Sequence, residues 1–232
     1  MIQLYATHTG TRRNLSAMQA AGIRLLLGPD QLGRVNPNAN WGWRYALDNG
    51  AWSAFNAGRA FDAAAFWRVL EQWGDTFDVA AARRGHFPGS AQRPDWIVCP
   101  DIVAGGLRSL DLSLWWLPYV RQYGHPLIAV QDGMLPEHIE EYIGPRCGIF
   151  LGGSTAWKWA TLPTWGAMAR LYRAHLHVGR VNSERAVRLC ASVGAASCDG
   201  TSPTRFAVNS PKLGRACVAP AQGVLDLRGL PL

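Results

Sequence analysis

Apolar residues in this chain gather into short runs that end on polar or small residues, and most are separated by longer stretches with helical spacing. The runs are Ile2 to Thr7, Ile23 to Leu27, Arg44 to Leu47, Trp96 to Cys99, Leu127 to Val130, Cys147 to Leu151, Leu176 to Val178 and Ala195 to Cys198. Several are apolar without alternation, the pattern of strands buried on both faces of a parallel sheet. Asn14 to Ala21, Asp62 to Trp73, Leu110 to Tyr123, Pro136 to Ile143, Thr164 to Ala174 and Ser183 to Val193 read as helices. Ser183 ahead of Arg185, Val187, Leu189 and Cys190 marks a capped amphipathic start. Strand and helix alternate through short connections, which predicts α/β architecture. Eight strands in one such unit favour a closed (β/α)8 barrel of the TIM type over an open sheet.

The chain of 232 residues suits one domain, 1–232, without division. A stretch over 81–94, rich in Arg, Gly and Pro and without periodicity, reads as a loop insertion between the third and fourth strands, with a substrate flap as the alternative. Hydrophobic residues at 48% against 17% charged exclude a disordered chain. The net charge of +7 is carried mainly by arginines, among them Arg12, Arg13, Arg83, Arg84, Arg180, Arg185, Arg188 and Arg205. Guanidinium suits bidentate phosphate contact, so a polyanionic partner fits, although mild basicity also occurs in proteins that bind none. The five cysteines are odd in number and widely spaced in apolar segments, as reduced core thiols are, and no zinc spacing is present. No signal-peptide layout and no apolar run of membrane-spanning length occurs, so a soluble cytoplasmic protein is expected.

Polar residues close several of the strand runs. Asp48 follows Tyr45-Ala46-Leu47 and precedes Asn49-Gly50, Asp101 follows Val98-Cys99-Pro100, Gln131 follows Leu127 to Val130, and Asp199 follows Ser197-Cys198. At the exits of barrel strands such residues converge on one pocket. Each has a plainer reading as well: Asp48 an Asx turn, Asp101 a helix cap, Gln131-Asp132-Gly133 a turn. Gly152-Gly153 at the sixth exit lets a ligand approach the backbone, and no phosphate-loop fingerprint accompanies it. His8 and His177 lack a third partner at metal spacing, so no metal is expected.

The run Asp199-Gly200-Thr201-Ser202-Pro203-Thr204-Arg205 resembles the segment of tRNA-guanine transglycosylases in which a nucleophilic Asp precedes Pro-Thr-Arg. Asp48-Asn49-Gly50 with Trp52 is similar to that family's Asp-Ser-Gly-Gly-aromatic motif, and Asp101, Gln131-Asp132-Gly133 and Gly152-Gly153 follow in the order of its base-recognition residues. His177-Val178-Gly179-Arg180-Val181-Asn182-Ser183 resembles the related deazapurine DNA-modification (DpdA-like) transglycosylases, often carried by phages. The likeness spans roughly Arg44 to Arg205. Asn49 stands where the family has Ser, Ala51 where it has a second Gly, and the Cys/His zinc module of the tRNA enzymes is absent from the sequence.

The resemblance implies an enzyme that exchanges guanine in DNA for a 7-deazaguanine of the preQ0 type by covalent double displacement, needing no cofactor and working in the cytoplasm, the host's if phage-encoded. Asp199 would be the nucleophile and Asp48 the general acid/base. Asp101, Gln131, Gly152 and Gly153 would read the base, and Trp52 would stack on it. Lys158, Arg180, Asn182 and Arg205 are the expected phosphate contacts on DNA that is single-stranded or has its target base flipped out. Arg205 has a second reading, as a residue that orients Asp199. Lys158 between Trp157 and Trp159 is the strongest basic and aromatic cluster among the 11 tryptophans, most of which read as packing residues. A tRNA-directed enzyme without its zinc module, a catalytically silent nucleic-acid-binding barrel, and a homodimer are the alternatives the sequence leaves open.

Overall fold

The computed structural model describes residues 1–8, 11–35, 43–74 and 93–219. Eight strands within them, β1 (Gln3–Thr7), β2 (Arg24–Leu27), β3 (Tyr45–Leu47), β4 (Ile97–Val98), β5 (Pro126–Val130), β6 (Gly148–Leu151), β7 (Leu176–Val178) and β8 (Ser197–Asp199), form a closed parallel barrel in chain order. β8 returns to pair with β1, so the sheet has no open edge. All eight predicted strands are present, each within a residue or two of its expected bounds. The predicted loop over 81–94 lies almost wholly outside the described residues, as do Arg83, Arg84 and Trp41.

Alternation along each strand divides the side chains between two compartments. Leu25 pairs with Tyr45, Ile128 with Ile149 and Leu151 with Val178, and all six join the large core between barrel and helices. The positions between them face inward. Tyr5, Leu26, Ala46, Trp96, Val98, Leu127 and Ala129 form the inner core, with Phe150 packed on it. Large rings share this layer with two alanines, the mixture a narrow barrel requires. Below it, Asp95 accepts hydrogen bonds from the Tyr5 hydroxyl (2.8 Å), Arg24 (2.9 Å) and Arg44, which ties the starts of three strands together.

The surrounding helices are α1 (Arg12–Ala20), α2 (Ala51–Asn56), α3 (Ala63–Trp73), α4 (Leu107–Val120), α5 (Thr155–Tyr172), α6 (Glu184–Ser192), α7 (Ser202–Arg205) and α8 (Ser210–Val218). Asp62 caps α3 by accepting from the Ala65 amide at 2.9 Å, and Ser183 caps α6 through Ala186 at 3.2 Å, the latter as the sequence predicts. Two expectations need correction. The predicted helix over Pro136 to Ile143 is a single 3-10 turn, Pro136–His138, because Ile139 leaves helical geometry at φ −127°. The helix predicted from Thr164 begins at Thr155, where Ser154 supplies the cap, and it carries Pro163 in its interior. Among the described residues, no helix is long and apolar enough to cross a membrane.

Candidate active site

Two residues beyond the inner-core positions, the strands reach the C-terminal mouth of the barrel. There the inward positions are Gly28 after Leu26, Asp48 after Ala46, Gln131 after Ala129, Gly152 after Phe150, Gly179 after His177 and Asp199 after Ser197. Three of the six are glycines, so the barrel is left unfilled at this height. A Cβ on Gly28 would stand 3.4 Å from that of Asp48, and one on Gly179 would stand 3.5 Å from the Asp199 carboxylate. The result is a cavity of about 500 Å³ whose walls include Asp48, Asp101, Asp199, Trp52, Phe150 and Arg180. Its size is that of a small-molecule pocket, and its few polar groups converge on a largely apolar lining.

Four carboxylates line this space: the exposed Asp132, which accepts from the Ser154 amide and hydroxyl, and the more enclosed Asp48, Asp101 and Asp199. Burial pushes Asp48 up to about 7, reinforced by the negative charges of Asp199 and Asp101 and opposed by the backbone N–H groups of Asn49 and Gly50. Burial likewise raises Asp101 to about 6, with the hydrogen bond from Asn49 pulling the other way. Asp199 is held differently: its Oδ1 lies 2.9 Å from Nε2 of the fully buried His177, and its Oδ2 has only a long contact of 3.4 Å from the Arg180 amide. One acid thus keeps its proton near neutral pH while its neighbour sits against a hydrogen-bond donor. A carboxyl that holds its proton near neutral pH can give it to a leaving group.

The predicted recognition residues divide. Asp101 and Trp52 both line the cavity, and the Arg180 guanidinium sits 4.6 Å from the centre of the Trp52 ring while also donating to the Gly153 carbonyl. Gly152 and Gly153 line it too, although the Gly152 amide is already engaged with the Val130 carbonyl at 2.9 Å. Gln131 is at the wall, but its amide is committed inside the protein. Its Nε2 donates to the Ile102 carbonyl at 2.9 Å and to Ser109 Oγ at 2.6 Å, and its Oε1 accepts from the Gly105 amide at 3.2 Å. It shapes the loop after β4 instead of offering a free amide to a base.

The phosphate set changes more. Arg180 stays at the cavity rim, held there with φ +58°. Lys158 is only 1% exposed, donates to the Gly179 carbonyl at 2.5 Å and lies over the Trp159 ring, so it is a core strut and not a surface contact. Its flanking tryptophans pack on the main core as well. Burial, then the charge of Arg180, lowers its pKa to about 8. Asn182 is exposed outside the cavity, and its Oδ1 accepts from the Ser202 amide at 2.9 Å. Arg205 is exposed at the end of α7, and Asp199 takes its hydrogen bonds from His177 and Arg180 instead.

Three residues that shape the site were not singled out for it from the sequence. Asn49 is 3% exposed and donates at 2.8 Å to both the Cys99 carbonyl and Asp101 Oδ1, joining the third and fourth strand exits. Its position between Asp48 and Gly50 was the available signal, since Gly50 at φ +81° turns the chain into α2 and so presents Trp52. Thr204 donates to the Thr7 carbonyl at 2.9 Å and anchors the Pro-Thr-Arg segment to β1. His177, weighed from the sequence as a metal ligand and lying in the DpdA-like run, supports Asp199. Among the described residues, no group of His, Cys, Asp and Glu has metal-holding geometry, and all five cysteines are buried free thiols.

No family model and no curated protein matches this chain. Solved structures similar to it include tryptophan synthase from M. tuberculosis, at 12% identity over 93% of each chain with a TM-score of 0.50. Mandelate oxidase is similar at 14% identity, over 91% of this chain and 70% of the other, with a TM-score of 0.52. At such identities the likeness is one of fold: this chain is a (β/α)8 barrel, an architecture that hosts many chemistries.

Proposed function

We propose that the barrel is a guanine transglycosylase acting on DNA, replacing guanine with a 7-deazaguanine of the preQ0 type. The observation that carries this reading is the meeting of Asp48, Asp101 and Asp199 in one cavity of about 500 Å³, with Asp48 raised to about 7. It joins the motif resemblance to a chemical division of labour. Asp199 Oδ2 attacks C1′ of the deoxyribose, forming a C–O bond as the C1′–N9 bond breaks, and the Asp48 carboxyl protonates the departing guanine. The Asp48 carboxylate then takes the proton of the incoming deazaguanine, whose N9 displaces Asp199 and restores its carboxylate. Asp101 accepts from base N–H groups, and Trp52 with Arg180 closes the rim. A duplex substrate must expose its nucleotide to reach such a hollow.

Asp199→Ala is expected to abolish incorporation of labelled preQ0 into single-stranded DNA while the thermal melt stays close to wild type. Retained incorporation would remove Asp199 from the chemistry. Offering tRNA beside DNA in the same assay decides between the two nucleic acids, and binding of both without exchange would point to a silent barrel.

A further inference from the structure

Below the cavity the barrel holds a line of polar groups that the exchange reaction leaves unused. His177 and Ser197 are partners across the β7–β8 pairing, and with His175 and Asp199 they form a continuous string. His175 Nε2 lies 2.7 Å from Ser197 Oγ, Ser197 Oγ lies 2.8 Å from His177 Nδ1, and His177 Nε2 lies 2.9 Å from Asp199 Oδ1. An ionised carboxylate only accepts, so the nitrogen facing it carries a hydrogen. In a neutral ring the other nitrogen must then accept, and the Ser197 hydroxyl donates to it. Having given its only proton to His177, Ser197 meets His175 as an acceptor, so His175 Nε2 carries a hydrogen too. Every position in the string has a single assignment.

The surroundings favour the neutral rings that this order requires. Burial lowers both histidines, His175 to about 3 with the help of neighbouring His177 and His125, while for His177 Asp199 acts in the opposite direction. Lys158 also disfavours a charged His177. The His177 ring is stacked on Phe150 at 4.9 Å and packed against Trp96 at 4.3 Å, so turning it would break two hydrogen bonds inside a filled barrel.

We propose that His177, backed by Ser197 and His175, is a positioning residue that fixes Asp199 Oδ1 and leaves Oδ2 as the oxygen that reacts. The proposal rests on reading Asp199 as the nucleophile. A carboxylate free to rotate would meet C1′ in the attacking geometry only part of the time, and misplacement by about 1 Å can cost roughly 100-fold in rate.

His177→Phe keeps the ring and removes both nitrogens, whereas His177→Gln returns an amide N–H close to the place of Nε2. Single-turnover guanine release from single-stranded DNA is expected to slow by roughly 100-fold in His177→Phe with KM unchanged, and His177→Gln should recover most of that loss. Nitrogen-15 NMR of the imidazoles should show His177 neutral with its hydrogen on Nε2, and the same tautomer should persist in Ser197→Ala, where the carboxylate is still there to accept it. A folded His177→Phe protein with wild-type rate overturns the proposal, as does an imidazolium or an Nδ1–H tautomer at His177. Should His177→Phe fail to fold, the wild-type spectrum and Ser197→Ala decide the matter. Wild-type activity in His177→Phe beside an inactive Asp199→Ala sinks only the positioning role, while an active Asp199→Ala sinks the nucleophile reading itself.

Discussion

Asp48 carries the clearest pH signature of any single residue. It titrates near 7 in the folded barrel against 3.8 for an ordinary aspartate, so the native state binds this proton more tightly than the unfolded chain does. Between these two values the unfolded chain ionises first, and folding loses stability as the pH rises until Asp48 has itself ionised. Asp48→Asn cannot ionise, and it is expected to melt above wild type at pH 8 with a smaller difference at pH 4.5. Guanine release by the same variant should fall by roughly 100-fold to 10,000-fold, the range of a lost general acid. Thermal melts at the two pH values, paired with the release assay, check both halves. A lower melting point at pH 8 would mean that Asp48 is not held protonated. Stability gained together with activity lost is the mark of a residue kept for chemistry.

At the scale of elements, the passage from β8 into α7 decides where Asp199 stands. A Cβ on Gly200 would come within 2.1 Å of the Val181 carbonyl oxygen, so the loop after β7 packs directly on this backbone. Gly200→Ala is therefore expected to destabilise the protein by about 3 kcal/mol or more, measurable by urea denaturation, because backbone rather than a flexible side chain must yield. The strands themselves were legible because burial on both faces leaves continuous apolar runs such as Leu127 to Val130. The short helices were not. Ala51–Asn56 spans too few residues to show a period, and Pro163 inside Thr155–Tyr172 conceals the first half of a long helix. The strand-exit acids could be read, since a carboxylate after an apolar run is conspicuous. The roles of Gln131 and Lys158 could not, because whether a polar side chain faces a ligand or its own backbone depends on contacts from distant elements. Gln131 meets Ile102 and Ser109, and Lys158 meets Gly179.

Taken as a whole, the molecule combines a net charge of +7 with a cavity walled by four acids. In the proposed exchange the two charges would address different parts of one substrate: the acids suit a neutral base rich in N–H groups, and the arginines suit the phosphates that flank it. Affinity for single-stranded DNA should therefore fall steeply with salt, with a logarithmic slope of roughly −0.7 per phosphate neutralised, whereas binding of free preQ0 should hardly respond. Titrations followed by tryptophan fluorescence at several salt concentrations measure both, and parallel salt responses would contradict the division. The hollow itself arises by omission, from Gly152 and Gly179 at inward positions that carry no side chain. Its capacity is consequently set by what is missing, and a single methyl group at Gly152, which would meet the Val130 carbonyl and the Phe150 ring, would narrow the range of admissible guests without touching any acid. The room in the hollow and the acids of its wall are thus written in separate letters of the sequence at this position, and the one can be changed while the other stays constant.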